Sequence, residues 1–350
     1  MAAYTTIDNP ELYFQCKIWT GTGSSNALTL DGDENMQPDF VWVKRRNSAG
    51  GHMLTDVIRG VTETIITNEN SAEQTFSNGL TAFGSDGFTV GSEDGFNASS
   101  DTFVAWCWKA GTAWSNDASA TSVGSLDSSG TKSATAGFSI ISFTGTESGT
   151  PSIAHSLSST PEFIMSRPRT VSDNWMVHHG SFSAQDYMIL NTTAAKASAS
   201  SVWNSLPSST VINMGDNAGV NDDGTMIMYA WHGVQGFSKC GGSYVGNGNA
   251  DGTFIYLGFR PAFLMVKASS ATSAWYIYDN KRAGYNPDNN QLFPDRNNAE
   301  DTTDHVDLLS NGFKWQGITG DPNTSGRTYI YMAFAEQPFV NSNGVPANAR

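Results

Sequence analysis

The chain has 350 residues, a formal net charge of -14 and only 15% charged residues. Its length exceeds one ordinary domain of about 100 to 150 residues, and its acidic balance argues against a surface that neutralises nucleic-acid phosphates or anionic lipid headgroups. Three cysteines, Cys16, Cys107 and Cys240, cannot pair completely and lack CxxC spacing, so neither a disulfide framework nor a zinc site is expected.

The opening "MAAYTTIDNPELYFQ" has no basic start leading into an apolar core, and no run approaches the ~18 apolar residues of a membrane span. The reading is a protein made in the cytoplasm, with no export signal and no membrane insertion. A Gly-rich hairpin signal, "WTGTGSSN", follows from Trp19, and then Pro38 introduces the apolar run "DFVWVKR". The end of that run, Lys44, Arg45 and Arg46, reads as a solvated strand terminus. Fourteen residues after Pro38 comes His52, opening "HMLTDVIRG"; then come "SDGFTVG" at 85–91 and "TFVAWCWKAG" from Thr102.

The same five landmarks then recur in order. The second set is "FTGTESGT", Pro161, Trp175, "SSTVINMG" at 208–215 and "TMIMYAWHGV" from Thr225. The third is "YVGNGNAD", Pro261, Trp275, "SNGFKWQG" at 310–317 and "TYIYMAFAEQ" from Thr328. Such a register indicates an internal triplication. It divides the chain into units at 1–111, 137–235 and 236–350. The Ser/Thr/Ala/Gly-rich stretch 112–136 is expected to be a linker outside any core, leaving the N-terminal unit more mobile than a fused C-terminal pair.

Within each unit the apolar runs are short, rich in Val, Ile, Phe, Tyr and Trp, and bounded by Gly, Asn, Asp and Ser, which is strand punctuation. Period-2 alternation places Phe103, Ala105 and Cys107 on one face of the closing strand and Val104, Trp106 and Trp108 on the other. Both faces are apolar, so this strand should be covered on both sides. Cys107 aligns with Ala230 and Ala333 and reads as a small buried side chain. Pro261 should begin a strand whose Lys267 emerges at the far end. The fold class is all-β: three related β-sandwich units, jelly-roll or lectin-like, of ~100 residues each. A short helix is expected around Thr192 to Ser200, "TTAAKASAS".

Motifs for chemistry are absent: no GxSxG, P-loop, HExxH or GxGxxG opening a helix. His178 and His179 are adjacent and would point to opposite faces of a strand. His179 stands where the sister units have Asp56 and Asp279, and Phe182 where they have Arg59 and Arg282. Trp114, Trp203 and Trp315 are the candidate contacts for a sugar face or another subunit, and the recurring Arg59 and Arg282 read equally as anchors of a loop carboxylate or as contacts for a partner. No catalytic residue, metal ligand or cofactor is assigned.

The stretches "YTTIDNPELYFQCKIWTGTGSSNAL", "NTTAAKASASSVWNSLPSST", "GSYVGNGNADGTFIYLGFRPAFLMVK", "YDNKRAGYNP", "LLSNGFKWQG" and "TYIYMAFAEQPFVNSNGVP" together resemble a repeat-protein family of tailed bacteriophages of marine and aquatic bacteria, described as virion structural or tail-fibre proteins. "HMLTDVIRG" departs from the commoner family pattern, in which aspartate and serine precede Val-Arg-Gly. The resemblance implies a non-enzymatic virion component, made in the host cytoplasm, that docks to other virion proteins and contacts a host-surface glycan or protein, as a homo-oligomer such as a trimer. A capsid-decoration or head-fibre role is the near alternative, and a glycan-cleaving tailspike the alternative from another class.

Overall fold

The computed structural model describes residues 4–288, 290–303, 305–317 and 321–346. The regular structure is almost entirely strand, as its punctuation implies, and the strand ladders are antiparallel. In the first segment Phe14–Thr20 pairs with the closing strand Thr102–Trp108, which pairs with Phe40–Arg45 and then His52–Asp56. The second segment repeats that order with Phe138–Thr144, Thr225–Trp231, Phe163–Pro168 and Met176–His179. The third repeats it with Ser238–Val245, Thr328–Pro338, Phe259–Ala268 and Trp275–Asp279. In all three the strand beginning near the landmark proline lies beside the closing strand.

The alternation read from the closing strands matches the packing. Phe103, Ala105 and Cys107 meet the small sheet of Asn26–Leu28, Gly87–Val90 and Leu80–Gly84 in one apolar cluster. Met226, Met228 and Ala230 face the small pair Ser152–Ala154 and Val211–Asn213 in another. The opposite faces, carrying Trp106, Trp108, Tyr229 and Trp231, do not meet water. They converge with the third sheet in a shared core.

That core is largely aromatic. Phe14 stacks on Phe334 with ring centroids 5.3 Å apart, Trp108 lies 5.3 Å from Phe263, and Phe40 meets Tyr229 edge-on at 4.9 Å. Each such pair contributes about 0.5–1.5 kcal/mol beyond the area it buries. The three segments are therefore three walls around one interior, and the first is not a mobile bead.

Three further expectations are overturned. The stretch 112–136 is not a free linker: Thr112–Asn116 and Ser128–Ser133 form a hairpin that adds two strands beside Phe138–Thr144. Strand addition is driven by backbone pairing on an existing edge, so it needs little apolar side chain. Small residues suit the site, because a Cβ on Gly130 would sit 1.8 Å from the Ile140 carbonyl oxygen. Thr192 to Ser200 is not helical. Its backbone is used elsewhere: Lys196 donates to the Ser269 carbonyl, Ala199 donates to that of Gln185, and Ala197–Ser198 pairs with Asp186 and Tyr187. Lys267 does not emerge but is fully buried, as is Lys44.

Candidate functional site

Four of the five residues singled out for partner contact lie inside the protein. Trp203 and Trp315 are buried in sandwich interiors, and the Arg59 and Arg282 side chains are 0% exposed. Trp114 alone among the five is half-buried, packed against the second sandwich beside Ser156 and Thr210. Alignment by sequence located real recurrences, but recurrence marks shared architecture, and here that architecture is the set of contacts between segments.

Asp56 ends a strand, and its Oδ1 accepts from the Ile58 and Arg59 amides at 2.9 and 3.0 Å. Its Oδ2 accepts from Arg59 Nε at 2.5 Å and from the hydroxyl of Tyr229, in the second segment, at 2.7 Å. Asp279 repeats the motif: its Oδ1 takes the Lys281 and Arg282 amides, and its Oδ2 takes Arg282 Nε at 2.6 Å and Trp106 Nε1, in the first segment, at 2.9 Å. Each arginine also reaches a backbone carbonyl, Leu54 or Ile277. A glutamate completes each set. Glu73 bridges Arg59 (3.2 Å) and Arg169 (2.7 Å); Glu300 bridges Arg282 (2.9 Å) and Arg46 (3.0 Å). Burial opposes both guanidinium charges, but the adjacent carboxylates raise Arg59 and Arg282 above the ordinary arginine range.

The remaining junction, second segment to third, has other chemistry in the same place. His179 replaces the aspartate, and its Nε2 lies 3.3 Å from the Tyr331 carbonyl, which can only accept. The Nδ1 accepts from the Ser181 amide at 3.2 Å, so the proton is assigned to Nε2. Burial pushes His179 down to about 3. Phe182 replaces the arginine, and the Lys196 ammonium sits 5.5 Å over its ring while pairing with Asp186. One backbone bond is common to all three junctions: Glu73 to Arg169, Lys196 to Ser269, and Glu300 to Arg46, at 2.7–2.9 Å.

Of the basic run at 44–46, Lys44 is therefore internal, while Arg45 and Arg46 are partly exposed. Lys44 reaches the Asn297 carbonyl, Arg167 those of Glu69 and Ser71, and Lys267 that of Thr193, each in a neighbouring segment. Burial pushes Lys44 and Lys267 down to about 8 and Arg167 to about 10.

Three asparagines were missed by reading the sequence. Asn97, Asn221 and Asn323 are buried, and each accepts from the amide of Thr22, Thr146 or Asn247 in the Gly-rich turn. Their amide nitrogens donate to the carbonyls of Gly91, Gly215 and Asn249. The turn's first glycine approaches closely: a Cβ on Gly21 would lie 2.0 Å from the Ala98 carbonyl oxygen. The signal was present, because an asparagine stands four or five residues before Thr102, Thr225 and Thr328.

Outside these junctions, the loop that follows Trp275–Asp279 forms a cavity of about 350 Å³ lined by Arg260, Asn280, Tyr285, Asn286 and Asp288. Paired amide bonds between Asn286 and Leu308, both 3.0 Å, hold the loop to the neighbouring strand His305–Leu309. Asp288 is 2% exposed; its Oδ1 accepts from the Asn290 amide at 3.0 Å, while its Oδ2 and the Oδ1 of Asn280 have no hydrogen-bond partner. Burial pushes the Asp288 carboxyl up to about 7. Tyr285 is 75% exposed at the same place. The residues aligned with Asn280 are Val57 and Gly180, so this polar wall belongs to the third segment alone.

The cysteines are buried, and burial raises their thiols above the ordinary range, which disfavours the thiolate. Among the described residues no group of three His, Cys, Asp or Glu is placed to hold a metal ion, and no helix is long and apolar enough to cross a membrane.

No curated protein and no solved structure matches this chain significantly. A family model does, over residues 9–338: the chain belongs to the family described as a domain of unknown function, DUF7483.

Proposed function

We propose that the chain is a non-catalytic structural and attachment component of a bacteriophage virion. The observation that carries this reading is the cyclic set of buried junctions. Segment one bonds to two, two to three and three to one, around a single aromatic core. Such a body resists local opening, because separating any one wall leaves buried charges or carbonyls without partners at two junctions. A rigid scaffold with variable outer loops suits attachment, and the loop that differs most usefully is the one at 280–288.

The same core bears on stoichiometry. A homotrimeric fibre buries one face from each of three chains, whereas this chain encloses three of its own sheet faces. We therefore favour a monomeric body docked to other virion proteins over the trimer expected from the resemblance. Sedimentation at high concentration should give one 37.5 kDa species, and a stable trimer would overturn that preference. Gold-labelled antibody against the protein should decorate intact particles of the virus that encodes it; unlabelled particles would overturn the virion reading.

A further inference from the structure

We infer that the cavity formed by Arg260, Asn280, Tyr285 and Asp288 is a binding site for a neutral, hydroxyl-rich ligand, a sugar ring of a surface glycan. The inference deepens the attachment reading and rests on it for its biological setting. Its volume, about 350 Å³, lies within the range of small-molecule sites, roughly 300–1,000 Å³. Two acceptors in its wall, Asp288 Oδ2 and Asn280 Oδ1, are buried and unpartnered. An orphaned buried acceptor is costly, so the site favours a ligand that brings donors.

Charge selects among donors. An ammonium ligand would meet Arg282 close behind Asp288, while Arg260 in the wall is already paired with Glu336 at 3.0 Å. An anionic ligand would meet Asp288 itself, with Asp279 and Glu300 nearby. A sugar avoids both conflicts: its hydroxyls donate to the two acceptors, Asp288 Oδ2 and Asn280 Oδ1. The exposed Tyr285 ring then offers an apolar face for the sugar's C–H surface. Burial supports the choice of a neutral ligand, because it already holds the Asp288 carboxyl near half-protonation at neutral pH.

Saturation-transfer NMR on the full chain tests this with methyl glycosides of glucose, galactose, mannose and N-acetylglucosamine. At least one should receive saturation, with affinity on the order of 1 mM. Tyr285→Ala, an exposed change that leaves the fold intact, should weaken that binding about tenfold. Asp288→Asn, which exchanges an acceptor for a donor, should weaken it too, with an unchanged circular-dichroism spectrum. No transfer to any glycoside, or transfer undiminished by Tyr285→Ala, overturns the inference. So does preferential binding of the lysine probe Nα-acetyl-lysine methylamide or of methyl sialoside. Labelled particles without sugar binding sink this inference alone, and sugar binding on unlabelled particles sinks the virion reading alone.

Discussion

The junction between the second and third segments and the two charged junctions occupy equivalent places but are built from different chemistry. At the charged junctions a buried aspartate is neutralised by an arginine three residues on and takes a hydrogen bond from Tyr229 or Trp106 of the next wall. At the third, every member has changed together. The donor position holds Met332, the arginine is Phe182, the bridging glutamate is Lys196, and the aspartate is His179. A carboxylate left there would be buried with neither an arginine nor a donor from the next wall, a cost of several kcal/mol. A neutral imidazole instead donates to the Tyr331 carbonyl, which needs no charge at all. The comparison teaches that the position must cross-link two walls, and that the linking chemistry is free to vary only as a set.

The largest effect should come from breaking a charged junction. Asp279→Ala leaves Arg282 buried without its carboxylate and Trp106 Nε1 without an acceptor, and urea unfolding should show a loss of about 3–5 kcal/mol. A loss below about 1 kcal/mol would mean that the pair does not hold the walls together. Next, His179→Asp should cost about 3 kcal/mol by placing an unpaired carboxylate in the neutral junction. Adding Phe182→Arg and Met332→Tyr should recover part of that loss. A triple variant no more stable than the single one would refute the idea of exchangeable sets.

The third test is acid. Burial lowers His179 to about 3 and His178 to about 4, against about 6.5 in the unfolded chain. The folded state therefore holds these rings neutral, and the unfolded state binds the extra protons between those values. Their contribution is present above pH ~6.5 and is lost as pH falls through the folded values, at up to about 1.4 kcal/mol per pH unit for each ring. His179→Gln should flatten this slope, and an unchanged slope would place the acid sensitivity elsewhere. The smallest effect concerns the pocket rather than a junction. The Asp288 pKa is raised to about 7 from about 3.9, so its stabilising contribution is complete below the lower value and lost as pH rises through 7. Asp288→Asn should raise the melting temperature at pH 8 by on the order of 2–4 °C and leave it unchanged near pH 3. Equal shifts at both pH values would show that the carboxyl is not burdened by burial.

Much of the fold was legible because strands report themselves locally. Phe103, Ala105 and Cys107 separate from Val104, Trp106 and Trp108 by a period of two, and the structure keeps the two sets in different clusters. The hairpin at 112–133 was not legible, because a strand held by its backbone against a neighbour needs no apolar pattern. The arginines were found, with anchoring a carboxylate and facing a partner both open, and the anchoring is what the structure holds. A guanidinium seven residues after a strand start looks the same in sequence whether it meets solvent or an aspartate three residues back whose Oδ2 it shares with a distant tryptophan. The pocket at Asn280 and Asp288 was invisible, since nothing local distinguishes a buried carboxyl with one unpartnered oxygen from a solvated turn residue.

The amino-acid sequence by itself determined the strands, their two apolar faces and the recurrence of one strand order, because these follow from alternation and turn chemistry within a few residues. Only the tertiary structure decided that the second faces cover one another, which turned Lys44, Arg59, Arg282 and His179 into internal cross-links. That outcome depends on which distant surfaces desolvate each other, and desolvation is a property of the assembled walls that no single strand carries.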